Sequence, residues 1–339
     1  MAQRLRSHII GTGLFVPERV VTNDELASFM HTSDAWIRAR TGICERRYSD
    51  ASEPTSILAL HASKAALDDA GLSPDDIDMI IFATLSPDLF FPGAGVLLGA
   101  HLEIPGTPAL DVRNQCSGFL YGLQCADAMI RSGVYRRVLL VGAEVHSTGL
   151  DLSDRGRDVS VLFGDGAGAF ILEARPEAEG VSPSGILGCS LGADGRHATA
   201  LWCKAPASSQ FPMRLTSENL DRGEHFPAMQ GRKVFKYAVT TMRDSVLALL
   251  EELELSIGQV DMLIPHQANL RISALVQESL KLPNERVFNN IQRYGNTTAA
   301  SLPIAVDECR RQGRLHRGDL LCLVAFGSGF TWGAAVVRM

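Results

Sequence analysis

Leu72-Ser73-Pro74-Asp75-Asp76-Ile77-Asp78-Met79-Ile80-Ile81 is echoed 183 residues later by Leu255-Ser256-Ile257-Gly258-Gln259-Val260-Asp261-Met262-Leu263-Ile264. The same offset carries the apolar run Val138–Val141 onto Leu321–Val324, and Cys116 onto Ala299. One constant offset over three segments indicates a duplication. Each copy reads as a helix, a short turn, a buried strand, then a helix and a second buried strand, the alternation expected of β-α-β units with parallel strands. Both copies also finish alike. FGDGAGA at Phe163–Ala169 and FGSGFTWGA at Phe326–Ala334 run into the apolar strands Phe170–Leu172 and Ala335–Val337. The stretch ARPEAEG at Ala174–Gly180 reads as a linker. It places a boundary near residues 174 to 184 and divides an α/β chain into halves 1–178 and 179–339.

The whole chain fits that reading. Its 339 residues are ample for a large core, and 46% hydrophobic, 21% charged and 6% aromatic content describes a packed globular protein. No apolar run approaches the ~20 residues of a membrane-spanning helix, and the basic start at Arg4 and Arg6 leads only to a stretch broken by Gly11, Gly13 and Pro17. The seven cysteines, at 44, 116, 125, 189, 203, 309 and 322, form neither a disulfide framework nor paired metal-ligand spacing. A cytoplasmic location is the expectation. A formal net charge of −6 argues against a general nucleic-acid binder.

The chemistry points to Cys116. It lies in Asn114-Gln115-Cys116-Ser117-Gly118, where the apolar stretch Thr107–Val112 turns into a helix of small residues. A cysteine at a helix N-terminus feels the positive end of the macrodipole, and that favours the thiolate. Position alone equally allows a small buried apolar residue. Two later segments add weight. Pro265-His266-Gln267-Ala268-Asn269 follows the apolar strand Val260–Ile264, and Gly295-Asn296-Thr297 precedes a helix. Alone, His266 could be a core hydrogen-bonding residue and Asn296 a turn or cap. A cysteine with a histidine and an asparagine far apart in sequence is nonetheless a standard way to build an acyl-transfer site. The duplication would set such residues at the junction of the halves, where element ends converge.

The glycine-rich strings need another use than nucleotide binding. Gly11-Thr12-Gly13 is followed by Val16-Pro17 rather than a helix, and Gly327-Ser328-Gly329 lacks the Lys-Ser/Thr of a phosphate-binding loop. Glycine at the second place would let backbone N–H groups approach a substrate carbonyl. Basic clusters at Arg38, Arg40, Arg46 and Arg47, at Arg155 and Arg157, at Arg232 and Lys233, and at Arg271 read singly as solvated surface charge.

Taken together these motifs resemble the thiolase superfamily and, within it, the β-ketoacyl-acyl-carrier-protein synthase III family. The resemblance runs over essentially the whole chain. It is carried by TSDAWI at Thr32–Ile37 with RTGI at Arg40–Ile43, the Cys116 helix, DRG at Asp154–Gly156, FGDGAGA at Phe163–Ala169, HQANLR at His266–Arg271, GNT at Gly295–Thr297 and FTWG at Phe330–Gly333. It implies a thiolase-like fold, with the two α/β halves stacked as an α-β-α-β-α sandwich.

By that resemblance Cys116 is the nucleophile acylated by an acyl-CoA, and His266 and Asn296 complete the triad. The backbone N–H groups of Cys116 and Ser328 would hold the oxyanion. His266 and Asn296 would then donate to a malonyl thioester on an acyl-carrier protein, stabilising the enolate left by decarboxylation for attack on acyl-Cys116. Neither a metal nor a redox cofactor is implied, acyl-CoA being a substrate. Coenzyme A and its pantetheine arm would meet Trp36, Arg40, Arg155, Gly156, Phe235 and Asn269. Arg271, with Arg232 and Lys233, would meet the acidic carrier protein. Phe91 matches a residue that caps the partner's acyl pocket in a homodimer.

Departures bear on the primer. Arg113-Asn114-Gln115 before the cysteine, Ser117 after it, and the segment from His197 to Met229 differ from the usual fatty-acid initiator. Gln115-Cys116-Ser117-Gly118 with Leu120-Tyr121-Gly122-Leu123 and Asp154-Arg155-Gly156-Arg157 is also similar to the branch that makes alkylquinolone precursors from anthraniloyl groups. Three readings follow: a decarboxylating Claisen synthase of fatty-acid initiation, an acyl or aroyl transferase or condensing enzyme of specialised metabolism, including polyketide-related types, on the same fold, and a non-catalytic acyl-thioester binder.

Overall fold

Strands buried along their whole length, such as Met79–Ala83 and Leu320–Gly327, need cover on both faces. The computed structural model, which describes residues 4–177 and 183–339, supplies it by stacking two main sheets between and beneath helices. The first sheet contains β1 (Leu5–Phe15), β2 (Met79–Ala83), β3 (Ala109–Val112), β4 (Arg137–Glu144) and β5 (Gly166–Pro176), in the order β1-β5-β4-β2-β3. The second contains β6 (Gly185–Ala193), β7 (Met262–Pro265), β8 (Leu320–Gly327) and β9 (Thr331–Arg338), in the order β7-β8-β9-β6.

The sheets repeat one another. β2 pairs parallel with β4 through Met79 and Val138, and β7 pairs parallel with β8 through Met262 and Leu321, each residue displaced by the 183 of the sequence repeat. In each sheet two antiparallel strands follow, β5 and β1 in the first, β9 and β6 in the second. The copies differ at one edge: β3 pairs with β2 over four residues, whereas its counterpart is one isolated bridge between Leu263 and Val287. Ala174–Pro176, expected as linker, are the last residues of β5, paired with Leu5–Ser7. The rest of the expected boundary, residues 178–182, lies outside the described residues.

Helices complete the layers. α2 (Thr55–Ala70) covers the outer face of the first sheet, and α4 (Gly231–Glu252) with α5 (Leu270–Leu280) covers that of the second. Between the sheets lie α3 (Gly118–Arg131) and α6 (Ser301–Arg311), in one core with β2, β4, β7 and β8. A further helix, α1 (Asp34–Thr41), stands beside the stack, capped by Ser33, whose Oγ accepts from the Trp36 N–H. Close packing accounts for Gly11 in β1: a Cβ there would sit 2.3 Å from the Ala66 carbonyl oxygen of α2.

The middle helices start alike. Each follows a single 3₁₀ turn, Gln115–Ser117 before α3 and Thr298–Ala300 before α6, again 183 apart. The first residue of each turn is left-handed, Gln115 at φ +45° and Thr298 at φ +48°. Glutamine pays for that conformation, and β-branched threonine more so. The two turns touch, which brings Cys116 to the residues between Asn296 and Ser301.

Candidate active site

Cys116 is buried at the junction of the halves, 6% exposed. Its turn is pinned from the other half by Ser117, whose Oγ donates to Thr331 Oγ1 at 2.8 Å. Gly327, at the end of β8, lies directly against it: a Cβ on Gly327 would come within 2.7 Å of the Cys116 Cβ and 3.2 Å of Sγ. Glycine there lets the chain pass close enough for the Ser328 N–H to reach the sulfur, and the Cys116 N–H does the same. Those are the two backbone donors expected of an oxyanion site.

Electrostatically the site differs from the expectation. Burial pushes the Cys116 thiol up to about 12, aided by the neighbouring Glu144, and the two backbone N–H groups pull the other way without overcoming it. Burial thus works against the thiolate that a helix N-terminus would favour.

His266 follows β7, and its backbone N–H donates to the Val324 carbonyl of β8 at 2.8 Å. Gln267 fixes the loop beyond, its side chain accepting from the N–H groups of Asn290 (3.0 Å) and Ile291 (3.2 Å). The imidazole is 3% exposed, and burial lowers its pKa to about 3, so it is neutral. Nδ1 meets Ser301 Oγ at 2.6 Å, and Nε2 has no hydrogen-bond partner among the described residues. Asn296 is held by its backbone, which bonds Leu162 and Gly164, and its Oδ1 accepts from the Thr298 N–H at 2.9 Å. That leaves its Nδ2 as the group available to donate.

Three residues of this centre escaped the sequence reading. Ser301 is the partner of His266. His146 Nε2 bonds Thr298 Oγ1 at 2.6 Å, and burial lowers its pKa to about 4. Glu144, fully buried at the end of β4, accepts from Thr84 Oγ1 (3.1 Å) and from the N–H groups of Leu85 (3.2 Å) and Ser86 (3.1 Å); burial holds it at about 7. Glu144 ends a strand and Ser301 begins a helix next to motif residues, but no spacing assigns them a partner. A cavity of about 680 Å³ opens at Cys116 and Ser328. Phe163, Leu85 and Leu201 make part of its wall, and Arg113, His146 and His225 bring polar groups to it.

The other expected residues fall into separate groups. Trp36 is sandwiched between guanidinium groups, Arg40 at 4.4 Å and Arg157 at 5.0 Å from its ring centre. The sequence shows Arg157 in a basic cluster and in the Asp154–Arg157 stretch, but not its contact to Trp36. Arg155 pairs with Asp151 at 2.5 Å and lies over Phe226, and Gly156 turns the chain between them with its N–H on Ser153. Asn269 caps α5 by accepting from the Arg271 N–H, and its Nδ2 donates to the Arg40 carbonyl at 3.0 Å. Arg271 lies over Phe235 of α4. Arg232 is exposed and Lys233 half-buried in the first turn of α4, so all three cations expected at a carrier protein sit on neighbouring helix starts. Phe91 is 79% exposed, next to the exposed Leu89 and Phe90, and Arg214 lies over the Phe90 ring at 5.2 Å, one residue from the exposed Met213.

Known proteins match this chain in both sequence and fold. Models of 3-oxoacyl-[acyl-carrier-protein (ACP)] synthase III and of its C-terminal part match residues 110–195 and 250–339. A beta-ketoacyl-[acyl-carrier-protein] synthase III of Caldanaerobacter subterraneus subsp. tengcongensis is 44% identical over 338 residues, covering 100% of this chain and 99% of its own. The crystal structure of a 3-oxoacyl-[acyl-carrier-protein] synthase III from Aquifex aeolicus VF5 matches at a TM-score of 0.87 with 41% identity, over 98% of this chain and 100% of that one. The priming beta-ketosynthase of the R1128 polyketide biosynthetic pathway matches at 0.89 with 29% identity, over 100% and 98%.

Proposed function

Since the chain belongs to the β-ketoacyl-acyl-carrier-protein synthase III family, a family of condensing acyltransferases, we propose that Cys116, His266 and Asn296 carry out its two half-reactions. The observation that carries this reading is the neutral, buried His266, with Nδ1 on the hydroxyl of Ser301, which directly follows the turn touching the Cys116 turn, and Nε2 without a partner among the described residues.

In the first half-reaction Cys116 Sγ attacks the thioester carbonyl of an acyl-CoA. With the thiol at about 12 and the imidazole at about 3, deprotonation does not precede attack. The proton leaves Sγ as the carbon–sulfur bond forms, passes to His266 Nε2, and is returned to the departing coenzyme A sulfur. The N–H groups of Cys116 and Ser328 stabilise the oxyanion, each such donor being worth ~3 kcal/mol. In the second half-reaction His266 Nε2–H and Asn296 Nδ2 donate to the thioester oxygen of malonyl-acyl-carrier protein. Loss of carbon dioxide leaves an enolate, which attacks the acyl carbonyl; the carbon–sulfur bond to Cys116 breaks, Sγ takes up a proton to regain the thiol, and the β-ketoacyl product leaves on the carrier protein.

The first step needs Nε2 as acceptor and the second needs it as donor. A serine hydroxyl both accepts and donates, so Ser301 supports either tautomer of His266. Trp36, Arg40, Arg155, Gly156, Phe235 and Asn269 bind coenzyme A and its pantetheine arm, and Arg271, Arg232 and Lys233 receive the carrier protein. The exposed apolar group around Phe91 supports a homodimer, in which Phe91 reaches the partner's acyl pocket. The enzyme acts in the cytoplasm and needs no metal or redox cofactor.

A second reading, a priming synthase of specialised metabolism, draws on the polar cavity groups Arg113, His146 and His225 and on the match to a polyketide priming ketosynthase. Intact-protein mass spectrometry after incubation with acetyl-, octanoyl-, longer acyl- and anthraniloyl-CoA identifies the primer by which one loads fastest. Loading that survives Cys116→Ala refutes the assignment of the nucleophile. Carbon dioxide release from labelled malonyl-carrier protein separates a condensing enzyme from a same-fold transferase that passes the acyl or aroyl group to another nucleophile.

A further inference from the structure

A second cleft, of about 950 Å³, opens well away from Cys116. Its wall is built from β1, the end of β5, the last residues of α2 and α6, and the C-terminal residues of the chain. α6 begins at Ser301, bonded to His266, and ends with Arg310 and Arg311 in this cleft. At the helical rise the two places are roughly 14 Å apart.

The cleft carries an excess of positive charge. Arg175, Arg310, Arg311, Arg317 and Arg338 line it against two side-chain carboxylates and the carboxyl end of Met339, in a chain whose formal net charge is −6. Both side-chain carboxylates are engaged: Asp69 with Arg310 at 2.7 Å and Asp307 with Arg311 at 2.6 Å. Among the described residues Arg317 and Arg338 form no ion pair, and Arg338 Nη1 donates to the Gly318 carbonyl at 3.1 Å. Arg175 has only Glu173, at 3.4 Å. His8, on the wall, senses the same field: its pKa is lowered by burial first, then by Arg175, Arg6 and Arg317.

We propose that this cleft binds a small anion carrying several phosphate groups. Guanidinium forks match phosphate oxygens in pairs, and an excess of them around one concavity concentrates anions there. The arginines come from β5, the end of α6, the loop after it and β9, and are spread around a volume that one phosphate would not fill. The site stands on these residues and does not depend on the reading of Cys116.

The test is thermal unfolding and titration calorimetry of the full chain with inorganic triphosphate and with ATP, against sodium chloride of equal ionic strength. The wild type should show a saturable rise of at least about 2 °C. Arg175→Glu with Arg317→Glu, both exposed side chains, should weaken binding at least tenfold while leaving acyl-CoA loading unchanged. Similar affinity for the two ligands identifies the phosphates as the recognised group; tighter ATP adds the nucleoside. A rise no greater than with chloride, or one that survives the double variant and disappears in Arg40→Ala, refutes the proposal.

Discussion

Replacing Ser301 by alanine tests the centre at its least obvious point. Ser301 is 1% exposed and His266 3%, and their contact at 2.6 Å is the one hydrogen bond to Nδ1 among the described residues. Bulk water cannot take the place of the lost hydroxyl. A buried polar group left unsatisfied costs about 1–3 kcal/mol, which at 1.4 kcal/mol per tenfold is roughly 5- to 150-fold. The cost falls on orientation and on tautomer, so both half-reactions should slow. We expect kcat for carbon dioxide release from malonyl-carrier protein to fall about 10- to 100-fold, with burst loading of Cys116 reduced in the same range and KM for acyl-CoA little changed. Ser301→Thr keeps the hydroxyl and should recover most of the loss, a result that a purely space-filling role would not produce. If the folded alanine variant keeps kcat within twofold of wild type, Ser301 does not position His266 and the two-tautomer argument fails.

Further outcomes follow from the same geometry. Gly327→Ala puts a Cβ 2.7 Å from that of Cys116, and the displaced nucleophile should load about 100-fold more slowly in a protein whose circular dichroism is unchanged; loading at the wild-type rate would show that the turn yields freely. Trp36→Ala removes the surface held between Arg40 and Arg157 and should raise KM for acyl-CoA about tenfold or more at nearly constant kcat; a change confined to kcat would place coenzyme A elsewhere. Acid should weaken the fold. His266 at about 3 and His146 at about 4 stay neutral in the fold below their ordinary 6.5, so unfolding takes up two protons there between pH 6.5 and 4.5, while Glu144, raised from 4.5 to about 7, returns one; these three groups together cost about 1.4 kcal/mol per pH unit as pH falls, and His8, lowered as well, adds in the same direction, read from urea midpoints across that window, where a flat profile would contradict it.

The sequence repeat made the architecture legible because a sheet register is a matter of counting. An offset of 183 fixes that Met79 opposite Val138 must recur as Met262 opposite Leu321. It even relates details no propensity would supply. Gly71 after α2 and Glu254 after α4 are both left-handed, as are Gln115 and Thr298, although three of these four residues are poor choices for that conformation. The loss of a β3 counterpart was not legible, since it depends on pairing at an edge rather than on pattern. Nor was the charge state of the centre. Motifs place Cys116 at a helix start and suggest a thiolate, but the proton equilibrium is set by how completely the surrounding layers exclude water, and spacing does not encode that.

The repeat also explains why one site results from two similar halves. The position matching His266 in the first half is Ala83, and the position matching Cys116 in the second is Ala299. Both alanines are buried beside Gly118, the first residue of α3: a Cβ on Gly118 would meet those of Ala83 at 3.5 Å and Ala299 at 3.8 Å. The second half has Ser301 where the first has Gly118, and that serine supplies the hydroxyl for His266. Each half thus keeps one functional side chain at the shared turn and strand end and reduces the matching position to a methyl group. The small residues let the two 3₁₀ turns touch, and that contact sets the cysteine of one half against the turn that joins Asn296 to Ser301, the partner of His266, in the other.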